Sequence, residues 1–265
     1  RPPIRESACI LQNDLSHYPA LSDAREELQI DAQDHSNQEE LERADLVICN
    51  SSFTARTCQL LGVEPHRLRV IPFGINPQPS PPPNSSRQLR GPCRFLFVGS
   101  GLHRKGLHHL LEAWKQAGLR HSTLTLVCRQ IDPQIRTNFS LSEGAQLLPV
   151  VSQPELESLY LGSDVFVMPS LVEGFGYVYL EALARGCFCL GTENTGLPDV
   201  ADAGSAKLVP AADPTSLAQA LKDLEAKALT EGFDRQSIAE AVKPWSWTRF
   251  RQELVTASRE LLPEN

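Results

Sequence analysis

The run CRFLFVGSGLHRKGLHHLLEAWKQA, residues 93–117, sets the reading of the whole chain. Its first seven residues are apolar apart from Arg94 and Gly99, the pattern of a strand buried on both faces. Gly99, Ser100 and Gly101 then turn the chain, and Arg104 and Lys105 stand at the entrance to a helical pattern over 106–117. A strand that feeds a helix through a glycine turn is half of a βαβ unit, and the alternation continues downstream. Apolar runs at 123–128, 145–150, 164–170, 187–192 and 206–210 read as further strands, with helical patterns at 154–161, 177–185 and 214–228 between them. Strands that are apolar throughout, each followed by a helix, predict a doubly wound α/β domain with a parallel sheet covered on both faces.

Working outward, DLVIC at 45–49 is a strand, Ser51 or Ser52 a helix cap, and 53–61 a helix that stops at Gly62. LRVIP at 68–72 is another strand, and 37–44 a short polar helix. Between the two regions lies PQPSPPPNSSRQLRGP, residues 77–92, whose clustered prolines make a stiff connector. The predicted organisation is therefore a partial Rossmann-like N-terminal domain over 1–77, a Pro-rich linker over 78–92, and a complete Rossmann-like domain over 93–245. The last segment, 246–265, carries a helix over 247–262 that follows Trp245 and Trp247 and packs back across the domain boundary. The length of 265 residues fits one large or two unequal units at roughly 150 residues each. Residue 1 is an arginine and the sole methionine is Met168, so the chain is expected to be a piece or processed product of a longer protein.

Composition narrows the class. Apolar residues at 41% and charged residues at 22% are those of a globular chain, not a disordered or fibrous one. Thirty-two acids against 25 Lys and Arg give a net charge of -7, so no overall field draws the chain to nucleic acid, and any anion site must be local. No run of about 18 apolar residues is present, and residues 1–11 lack the apolar core of a signal peptide. The seven cysteines form no CxxC pair and no Cys/His spacing suited to zinc, and most sit inside apolar runs. That usage points to a reducing, cytoplasmic location, with peripheral association at the inner face of a membrane left open.

Two segments carry chemistry. In FLFVGSGLHRKG, 95–106, backbone amides, a helix N-terminus and two cations favour a phosphate. The spacing is neither GxGxxG nor the Walker pattern, and the competing reading is a solvated pair of charges beside a glycine turn. In PSLVEGFGYVYLEALARG, 169–186, Glu173 precedes Gly174 and Gly176, and Glu181 lies on an early turn of the following helix. Carboxylates accept several hydrogen bonds each, which suits sugar hydroxyls, and both fall at the carboxyl end of a parallel strand, where open α/β sheets bind ligands. The competing reading is a capping Glu and a surface Glu.

In combination with RADLVICNSSFT at 43–54, LRVIPFGI at 68–75 and TGLPDV at 195–200, these segments resemble the retaining glycosyltransferases of family four, which have the GT-B fold. The resemblance runs from about residue 40 to residue 262. It implies transfer of a sugar from a nucleotide diphosphate sugar to an acceptor hydroxyl with retained anomeric configuration, without a metal; no DxD triplet is present. By position, Lys105 and Arg104 would hold the donor diphosphate beside Gly99, Ser100 and Gly101, and Glu181 the ribose. Glu173 would contact the transferred sugar as the catalytic-site acid, and Phe175, Gly176, Tyr177 and Val178 would supply backbone contacts. Val151, in PVVSQPEL, stands where the family reads the base. No cofactor is implied beyond the donor; the acceptor class, whether saccharide, lipid or small molecule, is open. Two departures from the family pattern are Ser100, where many members have Arg, and Thr195, where the first of two glycines is usual. Other readings of the same features are a non-catalytic nucleotide-sugar-binding module acting with a partner chain and a nucleotide-sugar epimerase of the same fold.

Of the histidines, His103 adjoins the phosphate loop and is a possible donor contact, whereas His108 and His109 read as packing or surface residues on a helix. Phe53, Trp114, Trp245 and Trp247 read as core or docking groups, Asp164 as a strand border, and DAREEL at 23–28 as a solvated helix face.

Overall fold

The computed structural model describes residues 10, 14, 17, 18, 39–77 and 92–261. The connector at 78–91 and the DAREEL segment lie outside the described residues.

Two parallel sheets organise the described residues. In the first, β1 (Val47–Cys49) pairs with β2 (Leu68–Val70) across α1 (Ser52–Leu60). Ser51 rather than Ser52 caps α1, its side chain accepting from the Thr54 N–H. The second sheet has six strands: β3 (Cys93–Val98), β4 (Ser122–Val127), β5 (Ala145–Leu148), β6 (Val165–Val167), β7 (Phe188–Thr192) and β8 (Ala206–Val209). They lie in the order β5-β4-β3-β6-β7-β8, all neighbours parallel. This is a Rossmann-like doubly wound sheet, and the strand order reverses between β3 and β6.

The helices that follow are α2 (Leu107–Ala117), α3 (Pro133–Asn138), α4 (Gln153–Gly162), α5 (Tyr177–Ala184), α6 (Leu197–Val200), α7 (Pro214–Thr230), α8 (Arg235–Val242) and α9 (Trp247–Arg259). Their starts follow from local chemistry. Asp132, Ser152, Asp213, Asp234 and Ser246 each accept from first-turn N–H groups, Ser152 within a capping box completed by Glu155. The central strands are buried along their length because helices cover both faces; Leu96, Val165, Phe166 and Leu190 are wholly inaccessible.

Three short helices, α3, α6 and α8, were not anticipated from the periodicity, because four to eight residues supply too few turns for a 3.6-residue pattern to register. The strands are also shorter than the apolar runs suggested. The run 164–170 contributes only three residues to β6, and its last part, from Pro169, leaves the ladder to build a loop.

The chain end returns to the first sheet. Ile75 N–H donates to the Trp245 carbonyl at 2.8 Å, and a Cβ on Gly74 would lie 2.2 Å from the Trp247 nitrogen, so only glycine admits this approach. Phe73 packs its ring against Phe175, Trp247 and Phe250, and Arg69 pairs with Glu260 at 2.6 Å. Among the described residues no helix is long and apolar enough to cross a membrane.

Candidate functional site

The site gathers at the carboxyl ends of β3 and β6, where the strand order reverses. After β3, Gly101 is locked by paired backbone bonds, donating to Gln130 and accepting from Asp132. A Cβ there would fall 2.6 Å from Leu107. Residues His103–Lys105 form a single 3-10 turn that ends on Gly106 in the left-handed region, φ 68°. A Cβ on Gly106 would meet the Pro169 carbonyl at 2.0 Å, so glycine is required there for both conformation and space. That approach, with the Leu171 N–H donating to the Arg104 carbonyl, ties the loop after β3 to the loop after β6.

Three of the predicted site residues meet as a result. Arg104 Nη1 lies 3.0 Å from Glu173 Oε2, and Lys105 Nζ bonds the same oxygen. Two cations around one carboxylate leave a local excess of one positive charge in a chain that is negative overall. The group is partly open to water: side-chain exposure is 36% for Arg104, 12% for Lys105 and 17% for Glu173.

The loop that carries Glu173 is held from the first sheet. The Gly174 carbonyl accepts from Ser51 Oγ at 2.5 Å and from Thr54 Oγ1 at 3.1 Å. Ser52 donates to Asp199 through both its N–H and its hydroxyl. Ser51, Ser52 and Thr54 therefore hold the loop that carries Glu173 and the short helix α6 beside it, a role their sequence alone did not disclose. Phe175 is buried edge-on against Phe73 with ring centroids 5.1 Å apart, and its carbonyl accepts from the Gly196 N–H. Gly176, φ 79°, starts α5 with no side-chain cap, and Tyr177 donates its hydroxyl to the Gly74 carbonyl at 3.0 Å. Thr195 takes the place of a glycine without a left-handed backbone: its hydroxyl donates to the Thr192 carbonyl and accepts from the Leu197 N–H.

Glu181 sits one turn into α5, where the Tyr160 hydroxyl donates to it at 3.1 Å. Burial pushes its carboxyl above the usual range, and the Tyr160 bond and Arg185 charge oppose that shift. Val178 is half-buried in the first turn of the same helix, and Val151 follows β5, two strands from β3 in the sheet order. Gly99 and Ser100 span the step from β3 to Gly101; a Cβ at Gly99 would meet only ordinary contacts, so that glycine is not sterically required.

Behind the 3-10 turn lies a second cluster. The Asp14 carboxylate meets the Nε2 atoms of His103, His108 and His109 at 2.7, 3.0 and 2.8 Å, with all four side chains at most 2% exposed. His103 therefore turns away from the phosphate loop's open side, which corrects the expectation of a donor contact, and His108 and His109 are parts of a polar cluster, not simple packing. Burial alone would raise the Asp14 carboxyl; the three imidazole hydrogen bonds outweigh it and hold the group well below the usual carboxylate range. Burial pushes His108 down to about 4.

The chain belongs to the family of glycosyl transferases group 1, whose model matches residues 92–227. It is 28% identical over 224 residues to a putative colanic acid biosynthesis glycosyltransferase, WcaL, of Escherichia coli, covering 78% of this chain and 52% of that protein. Among solved structures it resembles sucrose-phosphate synthase from Thermosynechococcus elongatus, with 26% identity, a TM-score of 0.66, and coverage of 85% of this chain and 60% of that one. It also shares its fold with Anabaena HepE in complex with UDP and glucose, with 20% identity, a TM-score of 0.65, and coverage of 87% and 69%. These neighbours identify the fold as GT-B. The chain spans about half the length of the curated relatives it matches.

Proposed function

We propose that the chain is the donor-binding part of a retaining glycosyltransferase that moves a sugar from a nucleotide diphosphate sugar to an acceptor hydroxyl. The observation that carries this reading is the meeting of Arg104, Lys105 and Glu173 at the point where the strand order reverses, with Glu181 one helix turn beyond. Two cations held beside an uncapped helix N-terminus are matched to a diphosphate, whose charge grows as the bond to the sugar breaks. On this reading Arg104 and Lys105 hold the diphosphate beside Gly99, Ser100 and Gly101, and supply the positive charge there without a divalent ion. Glu173 then exchanges part of its ion pairing for hydroxyls of the transferred sugar. Glu181 accepts from the ribose hydroxyls, Phe175, Gly176, Tyr177 and Val178 line the donor with backbone groups, and Val151 meets the base. The UDP named in the Anabaena structure makes a uridine nucleotide the first donor to test.

Isothermal titration of the chain with UDP and GDP, followed by transfer assays with UDP-, GDP- and ADP-sugars, tests the proposal. Saturable one-to-one nucleotide binding that is weakened in Lys105→Ala supports it. Absence of binding to every nucleotide overturns it, and binding without transfer in the full-length protein favours a non-catalytic nucleotide-sugar module instead.

A further inference from the structure

The second cluster is unnecessary to the donor site as described, and it brings one carboxylate and imidazole nitrogens close enough together to share an ion. We propose that Asp14, His103 and His108 bind a divalent first-row transition ion, with zinc as the natural occupant. One Asp14 oxygen, Oδ2, is shared by His103 Nε2 at 2.7 Å and His108 Nε2 at 3.0 Å. The three ligand atoms all lie within 4.8 Å of one another. The two rings are nearly parallel, 19° apart with centroids at 4.9 Å, which sets their Nε2 atoms side by side towards the same oxygen. Two imidazoles and one carboxylate converging from separate parts of the chain form a ligand set suited to zinc and its neighbours in the first row.

The surroundings complete the case. The other Asp14 oxygen, Oδ1, receives His109 Nε2 at 2.8 Å, so the ligating carboxylate is itself oriented by a hydrogen bond. His109 Nδ1 lies 3.3 Å from the Tyr18 hydroxyl, which donates to Glu112 at 2.7 Å. A line of Glu112, Tyr18, His109 and Asp14 thus backs the site, and its two carboxylates match the charge of a dication. Burial keeps the ligands from water and fixes their rotamers: the side chains of Asp14 and His103 are each 2% exposed and that of His108 is 0%. His108 Nδ1 has no hydrogen-bond partner among the described residues, so this ring acts through the nitrogen that faces the ligand set. The spacing escapes a search of local motifs because the carboxylate comes from a position 89 residues before His103.

The ion would be structural. It would tie Asp14 to the turn that carries Arg104 and Lys105, holding the two cations from behind while touching neither.

The test uses the full chain, freed of metal by a chelator, and zinc and cobalt as probes. The expected result is one-to-one uptake of zinc that survives gel filtration and raises the melting temperature. Cobalt should give the visible bands of a nitrogen and oxygen ligand set. Asp14→Asn and His108→Gln should each lose the retained zinc while UDP binding, read separately, persists. Failure of the chelator-stripped native chain to take up either ion overturns the proposal, as does unchanged uptake in both variants. Intense sulfur-to-cobalt absorption would also overturn it by moving the ion to the cysteines. Should both variants fail to fold, the cobalt spectrum of the native chain decides between these outcomes.

Discussion

One 3-10 turn, His103–Lys105, serves two clusters of opposite character. On its open side Arg104 and Lys105 meet Glu173 where water has access; on its closed side His103 joins His108, His109 and Asp14 in a nearly dry pocket. Adjacent residues thus face different dielectrics, and the physics of charge differs accordingly. An ion pair near water is weak and exchangeable, so a ligand phosphate can displace it. A buried carboxylate surrounded by imidazoles is fixed, because breaking it strands polar groups away from solvent. The open cluster is built for exchange and the closed one for rigidity.

The largest expected effect comes from the closed side. Asp14→Ala leaves three buried imidazoles without their common acceptor and is expected to cost about 3–5 kcal/mol of stability, read as a lower denaturant midpoint at constant slope. A loss below about 1 kcal/mol would show that the cluster is not the fixed half of the pair. Gly106→Ala comes next. Its φ of 68° and a carbonyl 2.0 Å from the new methyl force the two loops apart, with an expected cost of about 2 kcal/mol or more and a matching loss of nucleotide binding. Normal stability and affinity in that variant would mean the loops do not need their close approach.

The open side should show smaller but more selective losses. Lys105→Ala is expected to weaken UDP by about 1.5–3 kcal/mol while leaving uridine nearly unchanged, since only the diphosphate loses a charge-assisted bond. Equal losses for both ligands would remove Lys105 from the diphosphate. Glu181→Ala should weaken both ligands by about 1–3 kcal/mol, because both retain the ribose. In titration calorimetry the two variants together would separate phosphate from ribose recognition.

The two clusters also differ in how far the sequence discloses them. The open one is local: strand, glycines, cations and carboxylates lie in two continuous segments, and the alternation of apolar runs with helices implies that both end at the same edge of a parallel sheet. Arg104, Lys105 and Glu173, drawn from those two segments, meet in one ion-paired group. The closed one depends on a pairing across 89 residues that no periodicity encodes, and His108 and His109 look like ordinary members of an apolar helix until Asp14 is placed against them. The clamp from Ser51 and Thr54 to Gly174 was hidden for the same reason: a helix cap is readable locally, but the second bond of the capping hydroxyl reaches another sheet. Strand ends failed differently. Met168, Leu171 and Val172 remain apolar because they stay buried while building the loop, so composition could not mark where the ladder stops.

The smallest effect, and the one that compares the two regions under a single variable, is the response to pH. Burial holds the Glu181 carboxyl above its ordinary 4.5, so the folded chain binds that proton more tightly than the unfolded chain does. Glu181 therefore favours the fold most at acid pH, and its contribution declines as pH rises from 4.5 through the raised value. Recognition of ribose runs the other way, because hydroxyls donate best to the ionised form. Affinity for uridine should rise with pH across that window and become level above it, and Glu181→Gln should flatten the profile. Asp14 lies at the opposite extreme: its three imidazole bonds keep it ionised throughout the window, so the closed cluster gives no matching change in carboxylate charge. Calorimetric titrations with uridine at several pH values would break the comparison if the native profile were flat, or if the Gln variant kept the slope, since the titrating group would then lie elsewhere.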